Sequence, residues 1–453
     1  MSSEIASAGS NGPSLPAGSI DLDDLFEGDR LSGVQRAALG LAALSIVLDG
    51  LDNQLLGFII PALIPEWGLP KSAFGVVIAS SLIAMSVGTA LAGRLGDRFG
   101  RRPALIASVI VFGLFTLASS LANNLETLAV LRCIAALGLG GAMPNATAIF
   151  AEFAPRRRRS MIVSLGIVCV PVGGVLGGVL AAAVLPSFGW RALVVIGGLI
   201  PLVSAALMAA KLPESPRFLL RQSGMRDRLV EIIKRHDPAI DTTGDFARAD
   251  DAPGARPSRS LLEASIRRDT LVLWGAFLAC LLAVYLMLNW APTMIAESGK
   301  GLATASSGLA AFNLGGIAGA VLGAFAMDRL GSRVPIVTAA LVGAVATYGV
   351  LLALPTPGGG ILVLAMAIQG AFVQGLQIML FALAAGVYSD DQRASGVGAA
   401  LAVGRFGAVA SSVAGAAMLA MGSAGFLILV AASTAASGLL LMLLSRHLKP
   451  LAR

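Results

Sequence analysis

Histidine is nearly absent from this 453-residue chain, which has only His236 and His447, both outside the long apolar runs. No membrane-embedded histidine is therefore available for proton transfer or metal binding, and proton chemistry within the apolar part falls to carboxylates. Cysteine is almost as scarce. Cys133, Cys169 and Cys280 all fall in apolar stretches, where a small buried thiol is the ordinary reading and no pairing is indicated. Charge is short as well, at 13% against about 25% in a soluble protein. There is no Gly-rich phosphate cradle followed by Lys and no cluster with metal-ligand spacing, which argues against ATP as an energy source and against a metal or other cofactor. With no nucleophile or cofactor constellation either, an enzyme is not expected. A secretory signal is also not expected, because residues 1–35 form a Ser/Gly/Pro segment followed by the acidic run Asp21-Leu22-Asp23-Asp24.

What the chain does have is apolar length. It is 56% hydrophobic and contains 54 glycines. Apolar runs of about 20 residues, enough to cross roughly 30 Å of hydrocarbon, recur along it. They fall near 37–62, 74–94, 103–122, 126–150, 160–184, 190–211, 269–291, 304–327, 334–354, 360–387, 393–420 and 424–446. The expectation is an all-α polytopic membrane protein with twelve spans. Its parts would be an N-terminal tail (1–35), a first six-helix bundle (36–211), a hydrophilic central segment (212–268), a second bundle (269–446) and a short tail (447–453). The central segment carries the breakers Asp241-Thr242-Thr243-Gly244 and Pro253-Gly254.

The net charge of +7 resides in short loops and not on one folded face, so it reads as a topology signal and not as a nucleic-acid surface. Arg94, Arg98, Arg101 and Arg102, then Arg156 to Arg159, the central segment, Arg329, Arg333, Arg393, Arg446, Lys449 and Arg453 all lie on one side. Lys71, Arg191 and Lys300 lie on the other. By the positive-inside rule both termini and the central segment are expected to be cytoplasmic. The stretch Gly93-Arg94-Leu95-Gly96-Asp97-Arg98-Phe99-Gly100-Arg101-Arg102 has a weaker echo around Asp328, Arg329 and Arg333, as expected of duplicated halves.

Once the loop and tail charges, including those at span ends, are set aside, four charged residues remain inside the expected spans: Asp49, Asp52, Arg132 and Arg405. A spacing of three sets the two acids on one helix face. Each costs roughly 2.5 to 3.5 kcal/mol at a helix centre on insertion scales, so such groups are assigned by default to an ion or substrate pathway. Structural ion pairs are the plainer alternative. On the functional reading, an arginine receives a carboxylate while one of the acids, Asp49 or Asp52, takes up a proton. Asp52 is slightly favoured for its depth, and Arg405 is favoured as the carboxylate anchor because a guanidinium fork matches a carboxylate. Arg132 holds the acids or gates the entrance. Tyr285, Asn289, Asn313, Gln369, Gln374 and Gln377 form a candidate polar wall for an aromatic ring, each with a helix-to-helix hydrogen bond as its alternative.

At these residues the chain resembles the major facilitator superfamily over nearly its whole length. Gly93 to Arg102 is similar to that superfamily's signature between spans two and three, and Pro213-Glu214-Ser215-Pro216-Arg217-Phe218 to its motif after span six. Asp49-Gly50-Leu51-Asp52, the span-four string Leu131-Arg132, Gly138, Gly140, Pro144-Asn145-Ala146-Thr147 and Glu152, and Gly404-Arg405-Phe406-Gly407 resemble the aromatic acid:proton symporter family. The resemblance implies a monomer that imports a benzoate-like carboxylate such as 4-hydroxybenzoate, protocatechuate or vanillate with protons. It also implies a conformational gate in Gly93, Asp97, Arg98, Gly100, Arg101 and Arg102, with Glu152 joining it and Asp328 and Arg329 as second-half counterparts. Two rivals stand. Pro171-Val172-Gly173-Gly174 partly resembles a motif of drug:proton antiporters, and a sensor that binds aromatic acids without moving them would share the same residues.

Overall fold

The computed structural model describes residues 20–448 apart from 23, 28–29, 223, 238–239, 241, 243–245, 248–259 and 390–391. Lys449, Arg453, the start of the tail, and the breakers Asp241, Thr243, Gly244, Pro253 and Gly254 thus lie outside the described residues. Among the described residues, ten helical stretches are long and apolar enough to cross a membrane. Two of them, Met161–Lys211 with 51 residues and Arg267–Leu330 with 64, would measure about 76 and 96 Å if straight, far beyond a bilayer of about 30 Å. Each reverses direction at glycines in the left-handed region, Gly189 at φ 74°, and Gly299 and Gly301 at φ 83° and 75°. The chain therefore makes twelve passes. Outside the helices, the described residues hold one two-stranded ladder, Ile20–Asp21 against Phe246–Ala247.

Span one is in two pieces, Gly33–Asn53 and Leu55–Trp67, broken at Gln54. The cause lies one helix away. The Arg132 guanidinium donates from Nη2 to the main-chain oxygen of Asp52 at 3.2 Å, so a side chain enters the helix ladder at the break. Span two is Lys71–Phe99, span three Arg101–Ser119 and span four Leu125–Phe153, and spans five and six are the two arms of Arg159–Lys211 on either side of Gly189. The signature stretch is therefore not a loop. Residues 93–99 end one helix, Gly100 alone turns the chain at φ 106°, and Arg101 opens the next. Spans seven to twelve are Arg267–Ile295, Gly301–Leu330, Arg333–Ala353, Gly360–Val387, Arg393–Ala420 and Ser423–Met442.

Packing follows one scheme twice. Span one packs on five, two on four and three on six; likewise seven packs on eleven, eight on ten and nine on twelve. Glycine sets the closeness of these pairs. A Cβ at Gly50 would stand 2.1 Å from the Val170 carbonyl oxygen, and one at Gly319 1.8 Å from that of Ala371. Between the two sets, spans two and eleven, five and eight, and one and seven are in contact. Several of these contacts lie toward the face opposite the termini: a Cβ at Gly57 would meet the Leu288 oxygen at 2.4 Å, and one at Gly75 the Ser412 oxygen at 2.8 Å. Lys71 and Glu297 pair there at 2.8 Å. At the face that carries the termini, two short helices, Pro216–Arg221 and Arg226–His236, cover the end of the first set. His236 anchors them, its Nδ1 lying 2.8 Å from the Ser32 hydroxyl and its ring 5.0 Å from that of Phe26.

Candidate functional site

The four embedded charges meet at the middle of the molecule in two unlike arrangements. Asp52, fully buried, is clasped from both sides: Arg132 Nη2 donates to Oδ2 at 2.9 Å and Nη1 to Oδ1 at 3.1 Å. Thr116 of span three adds a donor at 2.6 Å to Oδ1 and accepts from Arg132 Nη1 at 3.1 Å. A bidentate guanidinium pair with every carboxylate oxygen engaged is the geometry that offsets the desolvation of two buried charges. Sequence depth favours Asp52 as the group that takes a proton; the structure places it in a closed ion pair instead.

Asp49 is different. It is buried at 3% exposure, and its Oδ1 has no hydrogen-bond partner among the described residues. Both Asp52 and Arg405 act on it electrostatically. Arg405 reaches across from span eleven, is half-buried, and donates from Nη1 to the Ser86 hydroxyl of span two at 3.3 Å. It forms no ion pair among the described residues. One acid and one base are thus locked together, while the other two face the centre without a counter-ion bond.

A ladder of amides lies beside them. Gln54, at the break in span one, exchanges two hydrogen bonds with Asn313 of span eight: Gln54 Nε2 donates to Asn313 Oδ1 at 3.1 Å and Asn313 Nδ2 to Gln54 Oε1 at 2.8 Å. Gln374 of span ten donates to the same Asn313 oxygen at 3.2 Å, and its own Oε1 has no partner among the described residues. Gly174 makes the room, since a Cβ there would lie 2.2 Å from Gln54 Nε2. Asn289 lines a cavity of about 20 Å³ with Arg132, Asn53, Ser81 and Met85, and its Nδ2 has no partner among the described residues. That volume holds about one water. Tyr285, one turn along the same span, is half-buried, as is Gln377. Gln369 is turned away, donating to Thr347 of span nine at 2.9 Å. Sequence reasoning missed Gln54, Thr116 and Ser86. The available signal for Gln54 was an amide between Asp52 and an unbroken apolar run.

The signature residues form a second cluster at the terminal face. Asp97 pairs with Arg101 one turn on. Arg102 donates from Nη2 to the Ala209 oxygen at the end of span six at 2.6 Å, and its main-chain N–H donates to Glu214 Oε1 at 3.1 Å. A Cβ at Gly100 would collide with the Glu214 carboxylate at 2.6 Å. Glu152 accepts from the Ser215 hydroxyl, which joins span four to the same corner. Gly93 contributes its oxygen to Arg101, and Arg98 lies over the neighbouring Phe99 ring at 5.3 Å. The second half differs. Asp328 and Arg329 are exposed and make no ion pair or hydrogen bond among the described residues, while Ser332 binds the tail through Leu448 N–H at 2.9 Å and His447 at 3.2 Å.

Twelve passes in two matching sets, with buried charges and amides gathered between them, are the architecture of a secondary membrane transporter. The chain belongs to the Major Facilitator Superfamily, whose model matches residues 42–367. It is 35% identical over 421 residues to the 4-hydroxybenzoate transporter PcaK of Pseudomonas aeruginosa, covering 91% of this chain and 92% of that protein. It is also 34% identical over 406 residues to a gallate transporter of Pseudomonas putida, covering 89% and 90%. Among solved structures, the partially occluded inward-open xylose transporter XylE of E. coli superposes with a TM-score of 0.70 at 18% identity, covering 92% of this chain and 99% of that one. That likeness concerns the fold. The chain is a multi-pass transporter related to aromatic-acid transporters.

Proposed function

We propose that this chain imports a small aromatic carboxylate of the benzoate class together with protons, by alternating access of its two six-span sets. Its termini and central segment would face the cytoplasm, where the basic loops lie. The observation that carries the reading is the contrast between the closed Asp52–Arg132 pair and the open Asp49 and Arg405. With Asp52 and Arg132 cancelling, Asp49 and Arg405 leave the empty site neutral. A substrate carboxylate on the Arg405 guanidinium adds one negative charge, and a proton on Asp49 restores neutrality. A neutral load is the one that crosses hydrocarbon at least cost.

Asp49 is therefore assigned as the proton carrier, Arg405 as the carboxylate anchor and Asp52–Arg132 as the brace that bends span one. Gln54, Asn313, Gln374 and Asn289 offer amides to ring substituents, and the relatives named for hydroxylated benzoates support that class. The corner of Asp97, Arg101, Arg102, Glu152 and Glu214 is assigned as the gate on the cytoplasmic side. The test is uptake of labelled 4-hydroxybenzoate into proteoliposomes under an inward proton gradient. The intact chain is expected to accumulate it and Arg405→Ala to lose binding. Asp49→Asn is expected to exchange substrate across the membrane without concentrating it. Binding by the intact chain without accumulation favours a sensor, and accumulation by Asp49→Asn removes the coupling role.

A further inference from the structure

A large cavity apart from the central charges opens beside span three, at the corner that Arg102 and Glu214 share with the proposed gate. It measures about 660 Å³, and its lining includes Arg98, Arg102, Arg228, Phe99, Ile106 and Ile110. The two ends differ in chemistry. Ile110 is 43% exposed and Phe99 56%, and Ile106, one turn before Ile110, is half-buried against the cluster of Leu105, Val109 and Phe112. The upper rim is basic. Arg98 and Arg228 are exposed with no ion pair among the described residues, and Arg102 Nε is buried with no partner. Glu214 is the acid in the lining, and its carboxylate already accepts the main-chain N–H groups of Arg102 at 3.1 Å and Ser215 at 2.8 Å.

We propose that this cavity binds an anionic phospholipid, the phosphate of its headgroup held by Arg98, Arg102 and Arg228 and an acyl chain running along Phe99, Ile106 and Ile110. Basic pockets at the ends of membrane helices on the cytoplasmic side suit such headgroups, and each basic residue near the surface strengthens binding about fivefold. The occupant is a lipid and not a soluble anion because the apolar wall continues down span three from the arginine rim, through Ile110 to Leu114, which is 49% exposed. Its headgroup would tie the end of span two, through Arg98, to the short helix Arg226–His236, through Arg228.

Native mass spectrometry of the detergent-purified full chain, titrated with phosphatidylglycerol, phosphatidylcholine of the same chains, or glycerol phosphate, tests this. Retention of phosphatidylglycerol over phosphatidylcholine is expected, reduced about fivefold by Arg228→Gln. Arg98→Gln with Arg228→Gln is expected to reduce it about 25-fold, and Arg329→Gln, on the other half, to leave it intact. A preference that survives the double variant undiminished, or falls equally in Arg329→Gln, overturns the site. Equal binding of glycerol phosphate overturns the lipid as its occupant.

Discussion

Asp52→Asn separates a structural acid from a coupling one. The substitution keeps the shape of the side chain but removes the charge that faces Arg132, which is itself 3% exposed. Breaking a buried pair on one side leaves an uncompensated charge and costs about 3 to 5 kcal/mol. At about 1.4 kcal/mol per decade, the folded population falls by about two to three and a half orders of magnitude relative to unfolded. Arg132→Gln alone is expected to cost a similar amount. The double variant, with neither charge, should recover most of the loss, because a neutral amide pair carries no Born penalty. Unfolding of the purified full chain, followed at equilibrium in mixed micelles, measures all four corners of the cycle. Asp49→Asn, by contrast, breaks no hydrogen bond to Oδ1 and is expected to unfold close to the parent. The reasoning is refuted if Asp52→Asn is as stable as the parent and abolishes accumulation while Asp49→Asn still accumulates substrate. In that case the proton rides on Asp52.

Three further outcomes are expected. One open acid per open arginine predicts one proton per monoanion, so uptake should respond to the pH gradient at about 1.4 kcal/mol per unit and be insensitive to an imposed potential; current recorded on a solid-supported membrane checks this. Gly174→Val should cost about 1 to 3 kcal/mol by forcing Gln54 off Asn313, and in an equilibrium unfolding cycle the cost should shrink when Gln54→Ala is made as well. Burial holds His236 below the ordinary histidine value of 6.5. Above that value both docked and undocked forms are neutral; as pH falls through it the undocked form takes the proton first, so docking weakens. Protection of the amides in residues 226–236, with exchange rates corrected for their intrinsic pH dependence, should therefore be lower at pH 5.5 than at 7.5, and His236→Gln should remove the difference.

The number of passes was legible because apolar length and basic loops are properties of composition that no packing can rearrange. The identities of the embedded charges were legible for the same reason. Their pairing was not. Asp49 and Asp52 are three residues apart, which on a helix leaves them about 60° apart in rotation, close enough to share a face yet able to meet different neighbours. Which neighbour each meets depends on where span four packs, because the partner of Asp52 is Arg132, eighty positions away in sequence. The amide partners were illegible in the same way: Gln54 reaches Asn313 through the space left by Gly174 on a third helix. Gln369 and Gln374, alike in sequence, are sorted by helix rotation, one toward Thr347 and one toward Asn313. The signature read as a loop because Arg94, Arg98, Arg101 and Arg102 interrupt the apolar runs; within the helix, Gly96 gives room to Asn145, and only Gly100 turns the chain.

On the proposed assignment, tight coupling needs no special device beyond the charge count. Asp49 and Arg405 give four states: empty, proton only, anion only, and both. The first and last are neutral, whereas the other two carry one unpaired charge. If conformational exchange buries that charge at about 2.5 to 3.5 kcal/mol, the charged states cross about 70 to 400 times less often than the neutral ones. The leak per cycle is then set by burial, and the locked Asp52–Arg132 pair matters because it removes two charges from the count. Loosening that pair should therefore raise uncoupled flux before it abolishes transport. Thr116→Val, which takes the 2.6 Å donor from Asp52 while leaving the ion pair in place, is the variant to measure. Its proton leak in the absence of substrate should exceed that of the parent, and an unchanged leak would mean that the brace plays no part in coupling.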